Sequence, residues 1–203
     1  LEFARQYADF HIALGIHPWW AKQHDDTSLE LLKSLLELHQ SKITAVGEIG
    51  LDFALAPETF ARQQQLFEAQ LKLAAEFQKP VVLHHRKSMV QLLAEIKRQK
   101  FQYGGILHAF SGSPEQGQVF VDLGFKLGIG GTITYLRAEK TRNTIKKMPL
   151  SCFVLETDAP DIPPHWLYVN AERRAAGEPQ GLNTPAELPR IGAALAALRG
   201  LPA

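Results

Sequence analysis

Imidazoles and carboxylates recur in this chain where short apolar runs stop: His17 in "GIHP", Glu48 in "GEIGLD", His84 and His85 in "VVLHH", His108 in "LHAFSG" and Asp158 in "ETDAP". Taken singly, each is an ordinary polar residue at the end of an element, bonded to its neighbours. Taken together they have the composition of a divalent-metal site, because transition metals take imidazole nitrogen and carboxylate oxygen as ligands. Burying such a set is costly unless a cation or a charge partner compensates. The pattern therefore points to metal binding if the folded chain brings these residues to one place.

The elements that would do so are legible. Candidate strands are "HIALGI" (11 to 16), "ITAVGEI" (43 to 49), "PVVLH" (80 to 84), "GGILHAF" (104 to 110), "FKLGIGG" (125 to 131) and "CFVLET" (152 to 157). They are β-rich or continuously apolar, as parallel strands covered on both faces are. Stretches of helical period separate them, so crossover units are expected rather than hairpins. Helix starts are expected at Thr27 with Glu30, Ser88 with Gln91, Ser113 with Pro114 and Gln116, and Thr184 with Pro185 and Glu187. Gly124 is expected to close one of these helices. Residues 160 to 183 are rich in proline and polar side chains and read as a long loop.

Six strand-helix units suit either a doubly wound sheet or most of an eight-stranded barrel. No glycine-rich phosphate fingerprint follows the first strand, which disfavours the dinucleotide-binding alternative. In parallel α/β folds the chemistry sits at the carboxyl ends of the strands, where the histidines and acids lie.

Composition narrows the class. With 22 basic and 21 acidic side chains, the net charge of +1 provides no general field for nucleic acid, though a local basic pocket is compatible with it. Only one cysteine is present, Cys152; it cannot form an internal disulfide, so a reducing, cytoplasmic setting is expected, with Cys152 as inert packing. No apolar run reaches the ~20 residues that cross a bilayer. One domain over residues 1 to 203 is the expectation for this length.

The ordered motifs "GIHP", "VGEIGLDF", "KPVVLHHR", "GILHAFSGS" and "VLETDAP" resemble those of the TatD-like metal-dependent deoxyribonucleases, within the amidohydrolase-like barrels. The resemblance runs from about residue 8 to the end. It implies a (β/α)8 TIM barrel of the metal-dependent hydrolase type, with two divalent ions (Zn, Mg or Mn) at its mouth, cleaving phosphodiester bonds in DNA, single-stranded or at strand ends. It also implies Glu48 as the carboxylate bridging both metals, His84 and His108 as ligands of the second, and Asp158 as ligand of the first and base or orienting group for water. His17 and Arg86 fall beside the substrate, Arg86 where it would pair with a phosphate. His85 falls in a variable place. A monomer that engages no membrane is expected.

The family pattern opens with His-x-His on its first strand, a motif this sequence lacks, and the resemblance implies that about two βα units of that pattern are missing from it. With six strands where closure needs eight, weak or no nuclease activity is expected of this polypeptide alone. Two alternatives stand beside the nuclease. One is a hydrolase of a small ester, amide or lactone; the other is a noncatalytic barrel remnant that binds metal or a partner. Among the remaining candidates, His11, His24, His39 and His165 read as structural or exposed. Trp19, Trp20 and Trp166 read as pocket walls with base stacking as the sharper option, and Asp161, Arg173 and Arg174 as solvated loop surface.

Overall fold

A computed structural model describes residues 2, 6, 7 and 9 to 202. The chain divides into two compact units, residues 1–108 with 123–125, and residues 109–122 with 126–203.

In the first unit, strands β1 (Ile12–Leu14), β2 (Ile43–Asp52), β3 (Val81–Arg86) and β4 (Gly105–Leu107) lie side by side in chain order, each parallel to the next. Helices α1 (Asp26–Leu38), α2 (Phe60–Glu76) and α3 (Met89–Arg98) make the crossovers. The apolar runs become strands because both faces are covered: Ile43, Val46, Ile49, Leu51, Val81, Leu83 and Leu107 have no exposed surface. Helix α2 buries Leu66, Phe67, Leu71 and Ala74 at helical spacing, and Gln63 and Gln70 lie within the same buried face.

The second unit contains α4 (Pro114–Val121), most of β5 (Phe125–Ile129), α5 (Glu139–Lys147), β6 (Phe153–Leu155), α6 (Ala171–Ala175) and α7 (Leu188–Arg199). Strands β5 and β6 are parallel, with Leu127 opposite Phe153 and Ile129 opposite Leu155. Ile129, Ile133, Ile145 and Ile191 form its buried cluster.

Ser113 and Gln116 do form a reciprocal capping box at the start of α4. Helix α1, however, is capped by Asp25, whose carboxylate accepts from Ser28 N at 3.3 Å and from Thr27 Oγ1 at 2.5 Å; an anion two residues upstream outcompetes the threonine hydroxyl for the helix entrance. Ser88 precedes α3 without capping it: its hydroxyl donates to Leu51 O at 2.5 Å and accepts from Arg86 N at 3.2 Å, tying together the ends of β2 and β3. Thr184 makes no side-chain cap at the 3-10 turn Pro185–Glu187 that leads into α7. The segment 160 to 183 is not wholly irregular, since it holds α6, a five-residue helix too short to show a period and capped by Asn170.

Candidate metal centre

The centre is built where β1, β2 and β3 end. Glu48, Gly50 and Asp52 follow one another at alternate positions of β2, and Gly50 pairs with His84 of β3 in register. Gly50 has φ +147°, and a Cβ there would stand 2.1 Å from His84 O, so only glycine lets the two strands approach at this level. His17 arrives from the turn after β1, where Pro18–Gln23 forms a 3-10 helix.

Buried glutamines of α2 clamp the flanking backbone. Gln63 Oε1 accepts from Asp52 N at 2.8 Å while its Nε2 donates to Asp52 O at 3.1 Å. Gln70 does the same to Ile16, immediately before His17, at 2.5 and 3.1 Å. Each glutamine satisfies both peptide groups of one residue, so a single helix holds two of the site's backbones at fixed height.

At the centre, His84 Nδ1 lies 3.0 Å from Glu48 Oε1 and 3.1 Å from His17 Nε2, and His17 Nε2 lies 3.8 Å from the same Glu48 oxygen. Ligand atoms of these three residues lie within 4.8 Å of one another. On its far side, His84 Nε2 meets Asp52 Oδ2 at 3.2 Å. Asp52 has no exposed surface and also accepts from Trp19 Nε1 at 2.8 Å and from Ala54 N at 2.9 Å. His17 Nδ1 accepts from Trp19 N at 3.2 Å.

The charges are mutually adjusted. Burial pushes the Glu48 carboxyl up, but the bond from His84 and the positive fields of His108, His84 and His17 outweigh it and hold the group below the ordinary carboxylate range. Asp52 behaves alike: burial raises it, and the Trp19, Ala54 and His84 donors bring it below its usual value. Burial first, and then His84, depress the His17 imidazole. His85 is pushed down to about 4, chiefly by burial and then by the fields of His84 and His108, and its Nε2 has no hydrogen-bond partner among the described residues.

These residues suit a divalent cation. An imidazole that binds a metal carries one ring hydrogen, and His84 stands between two carboxylate oxygens, so in that form one contact sets a lone pair against a carboxylate. A cation between Glu48 and His84 removes that conflict, and imidazole with carboxylate is a donor set that zinc or manganese accepts.

The structure thus gathers Glu48, His84 and His17. His108 N donates to Leu83 O at 3.0 Å, and its ring is near enough to Glu48 and His17 to act on both electrostatically, although it is not one of the tight group of three. Arg86 ends β3 opposite Asp52 with an exposed side chain. Asp158 belongs to the second unit, three residues beyond β6, with φ +56° and just before a cis Ala159–Pro160 bond. Cys152 is buried at the entrance to β6. Trp166 donates from Nε1 to Glu187 at 2.7 Å under the guanidinium of Arg190, a structural assignment, whereas Trp19 stands beside His17 and His84 with half its surface exposed.

Sequence reasoning passed over three residues of the centre. Asp52 sits inside the quoted "GEIGLD", two positions from Gly50 and four from Glu48, and strand alternation places all three on one face. Gln63 and Gln70 are seven apart within an apolar stripe, the place where a polar residue must have a partner.

The model of the family described as "TatD related DNase" matches residues 1–203. The chain is 45% identical over 203 residues to the uncharacterized metal-dependent hydrolase YjjV of Escherichia coli K12, covering all of this chain and 74% of that protein. The crystal structure of YjjV superposes with a TM-score of 0.86 at 43% identity, over 99% of this chain and 73% of the other. The chain is also 33% identical over 202 residues to the 3'-5' ssDNA/RNA exonuclease TatD of Salmonella typhimurium, covering 98% of this chain and 74% of that one. The parallel α/β architecture expected from the motifs is therefore shared with solved hydrolases of this kind.

Proposed function

Since the chain belongs to the TatD related DNase family of metal-dependent hydrolases, we propose that it cleaves phosphodiester bonds of DNA, acting on single strands or strand ends. The observation that carries this reading is the convergence of Glu48 Oε1, His84 Nδ1 and His17 Nε2, backed by the buried Asp52 carboxylate.

Glu48 and His84 would hold the ion. When bound, a divalent cation lowers the pKa of a coordinated water and neutralises charge on a phosphoryl oxygen. The chain's own residues do the rest. Glu48, kept ionised by its neighbours, brings the negative charge that draws the cation in. His84 offers a ring lone pair in a fixed plane. His17, whose Nδ1 accepts the Trp19 amide, presents a hydrogen at Nε2 and would donate it to a substrate oxygen beside the ion. Arg86, exposed at the end of β3, is free to pair with a phosphate. His108 and Asp158 are assigned to the metal chemistry on their motifs.

Two features support a nucleic-acid substrate. A relative at 33% identity is named a single-stranded DNA/RNA exonuclease. The second unit contains a cavity of about 530 Å³ bordered by Tyr135, Tyr168, Arg137, Lys140 and the hydroxyls of Ser111 and Thr132, with the Arg137 guanidinium over the Tyr135 ring at 5.1 Å. Aromatic faces with cations and hydroxyls suit bases and phosphates of a single strand.

The test is hydrolysis by metal-supplemented protein of labelled single-stranded DNA beside chromogenic carboxylic esters. Slow shortening of the DNA, lost with chelator, is expected, and no hydrolysis of either substrate despite bound metal would favour the noncatalytic reading. Turnover of the esters with intact DNA would replace the nuclease by a small-ester hydrolase.

A further inference from the structure

Among the described residues Asp52 is the fully buried carboxylate beside the centre, and the proposed chemistry gives it no step of its own. Its two oxygens have three polar partners. Oδ1 takes Ala54 N at 2.9 Å, and Oδ2 takes Trp19 Nε1 at 2.8 Å and faces His84 Nε2 at 3.2 Å. Gln63 fixes the backbone of the same residue on both sides. Both ring nitrogens of His84 face a carboxylate oxygen, Nδ1 that of Glu48 at 3.0 Å and Nε2 that of Asp52 at 3.2 Å; because His17 Nδ1 accepts from Trp19 N, His17 turns a hydrogen on Nε2 toward His84 Nδ1 at 3.1 Å, which leaves the His84 ring hydrogen on Nε2, against Asp52.

We infer that Asp52 is a positioning residue that sets the tautomer of His84, placing the ring hydrogen on Nε2 so that Nδ1 offers its lone pair to a cation shared with Glu48. This deepens the reading given above and rests on it. His17 provides the contrast inside the same cluster. Its Nδ1 accepts the backbone N–H of Trp19, which puts its hydrogen on Nε2, the atom turned toward His84. Two imidazoles 4.4 Å apart thus share the Nε2–H tautomer but turn different atoms to the centre, His84 the Nδ1 lone pair and His17 the Nε2 hydrogen. The difference lies in their outer partners, a carboxylate for His84 and a peptide amide for His17. A histidine ligand held from behind by a carboxylate is also the more basic ligand.

The test joins two measurements on the whole chain: zinc affinity by competition with a chromophoric chelator, and histidine ring-nitrogen NMR of the metal-free protein. In the wild type His84 is expected as the Nε2–H tautomer. Asp52→Ala should weaken zinc binding about 10- to 100-fold and leave His84 distributed between tautomers. Asp52→Asn, which keeps one acceptor oxygen, should fall between the two. A folded Asp52→Ala protein with zinc affinity within about threefold of wild type and an unchanged His84 tautomer would overturn the assignment, as would a wild-type His84 carrying its hydrogen on Nδ1. That second readout needs no variant to fold. If wild-type protein keeps the expected tautomer and yet binds no zinc, the metal reading fails while the role of Asp52 in orienting the ring stands.

Discussion

The ends of β2 and β3 in the first unit and of β5 and β6 in the second are built from the same kind of apolar parallel strand, but their polar residues behave differently. In the first unit side chains meet side chains: His84 touches Glu48, Asp52 and His17. In the second, two buried or half-buried polar side chains, Glu156 and Asn183, serve the backbone. Glu156 Oε1 accepts from Ala109 N at 2.8 Å and the carboxylate covers Gly128, where a Cβ would come within 2.2 Å of it. Asn183, nearly fully buried, donates to Thr157 O at 2.7 Å and to Asp161 O at 2.5 Å. Acceptors gathered against one another, as Glu48 Oε1 and His84 Nδ1 are, make a place that suits a cation.

The comparison breaks first at Glu48. Glu48→Gln removes the charge at the centre and should lower both metal-dependent turnover and zinc affinity by at least about 100-fold, more than loss of an outer partner does; metal analysis of the purified variant checks it. Equal metal content in variant and wild type would move the centre elsewhere.

A second effect is pH-dependent. His85 is held to about 4 in the folded protein against an ordinary imidazole value of 6.5, so between those limits the unfolded chain binds a proton that the folded chain refuses. Stability should be fully present above about pH 6.5 and fall as pH drops toward 4, by up to about 3 kcal/mol. Urea unfolding at pH 7 and pH 5 measures this, and His85→Gln should flatten the difference.

In the second region, Asn183→Ala unties two carbonyls and should cost about 1 to 2 kcal/mol in urea unfolding while leaving zinc affinity at its wild-type value. A drop in affinity comparable to that of Glu48→Gln would erase the distinction between the regions. The smallest effect is expected at Arg173, whose exposed ion pair with Glu178 lies within the long segment after β6. Arg173→Ala should change stability by less than about 0.5 kcal/mol, measured the same way.

How far the residues spoke for themselves follows from the range of each signal. Strand positions came from apolar runs, and all six were found within a few residues of their observed limits. The capping box at Ser113 is local and was legible. The cap at Asp25 was misplaced by two residues because a hydroxyl and a carboxylate were both within reach of the same amides. The short α6 left no trace, since five residues do not complete two turns.

The order of residues alone decides that parallel strands alternate with helices and that histidines and acids stand at the strand ends, because both are properties of neighbours a few positions apart. It also assigns the family, through motifs kept in a given order. The orientation of each ring is another matter. That Asp52 stands behind His84 and that Gln63 and Gln70 reach the peptides of Asp52 and Ile16 depend on contacts between positions 11 to 54 residues apart. A hydrogen bond has direction as well as partners, and that direction exists only once the folded backbones bring donor and acceptor face to face.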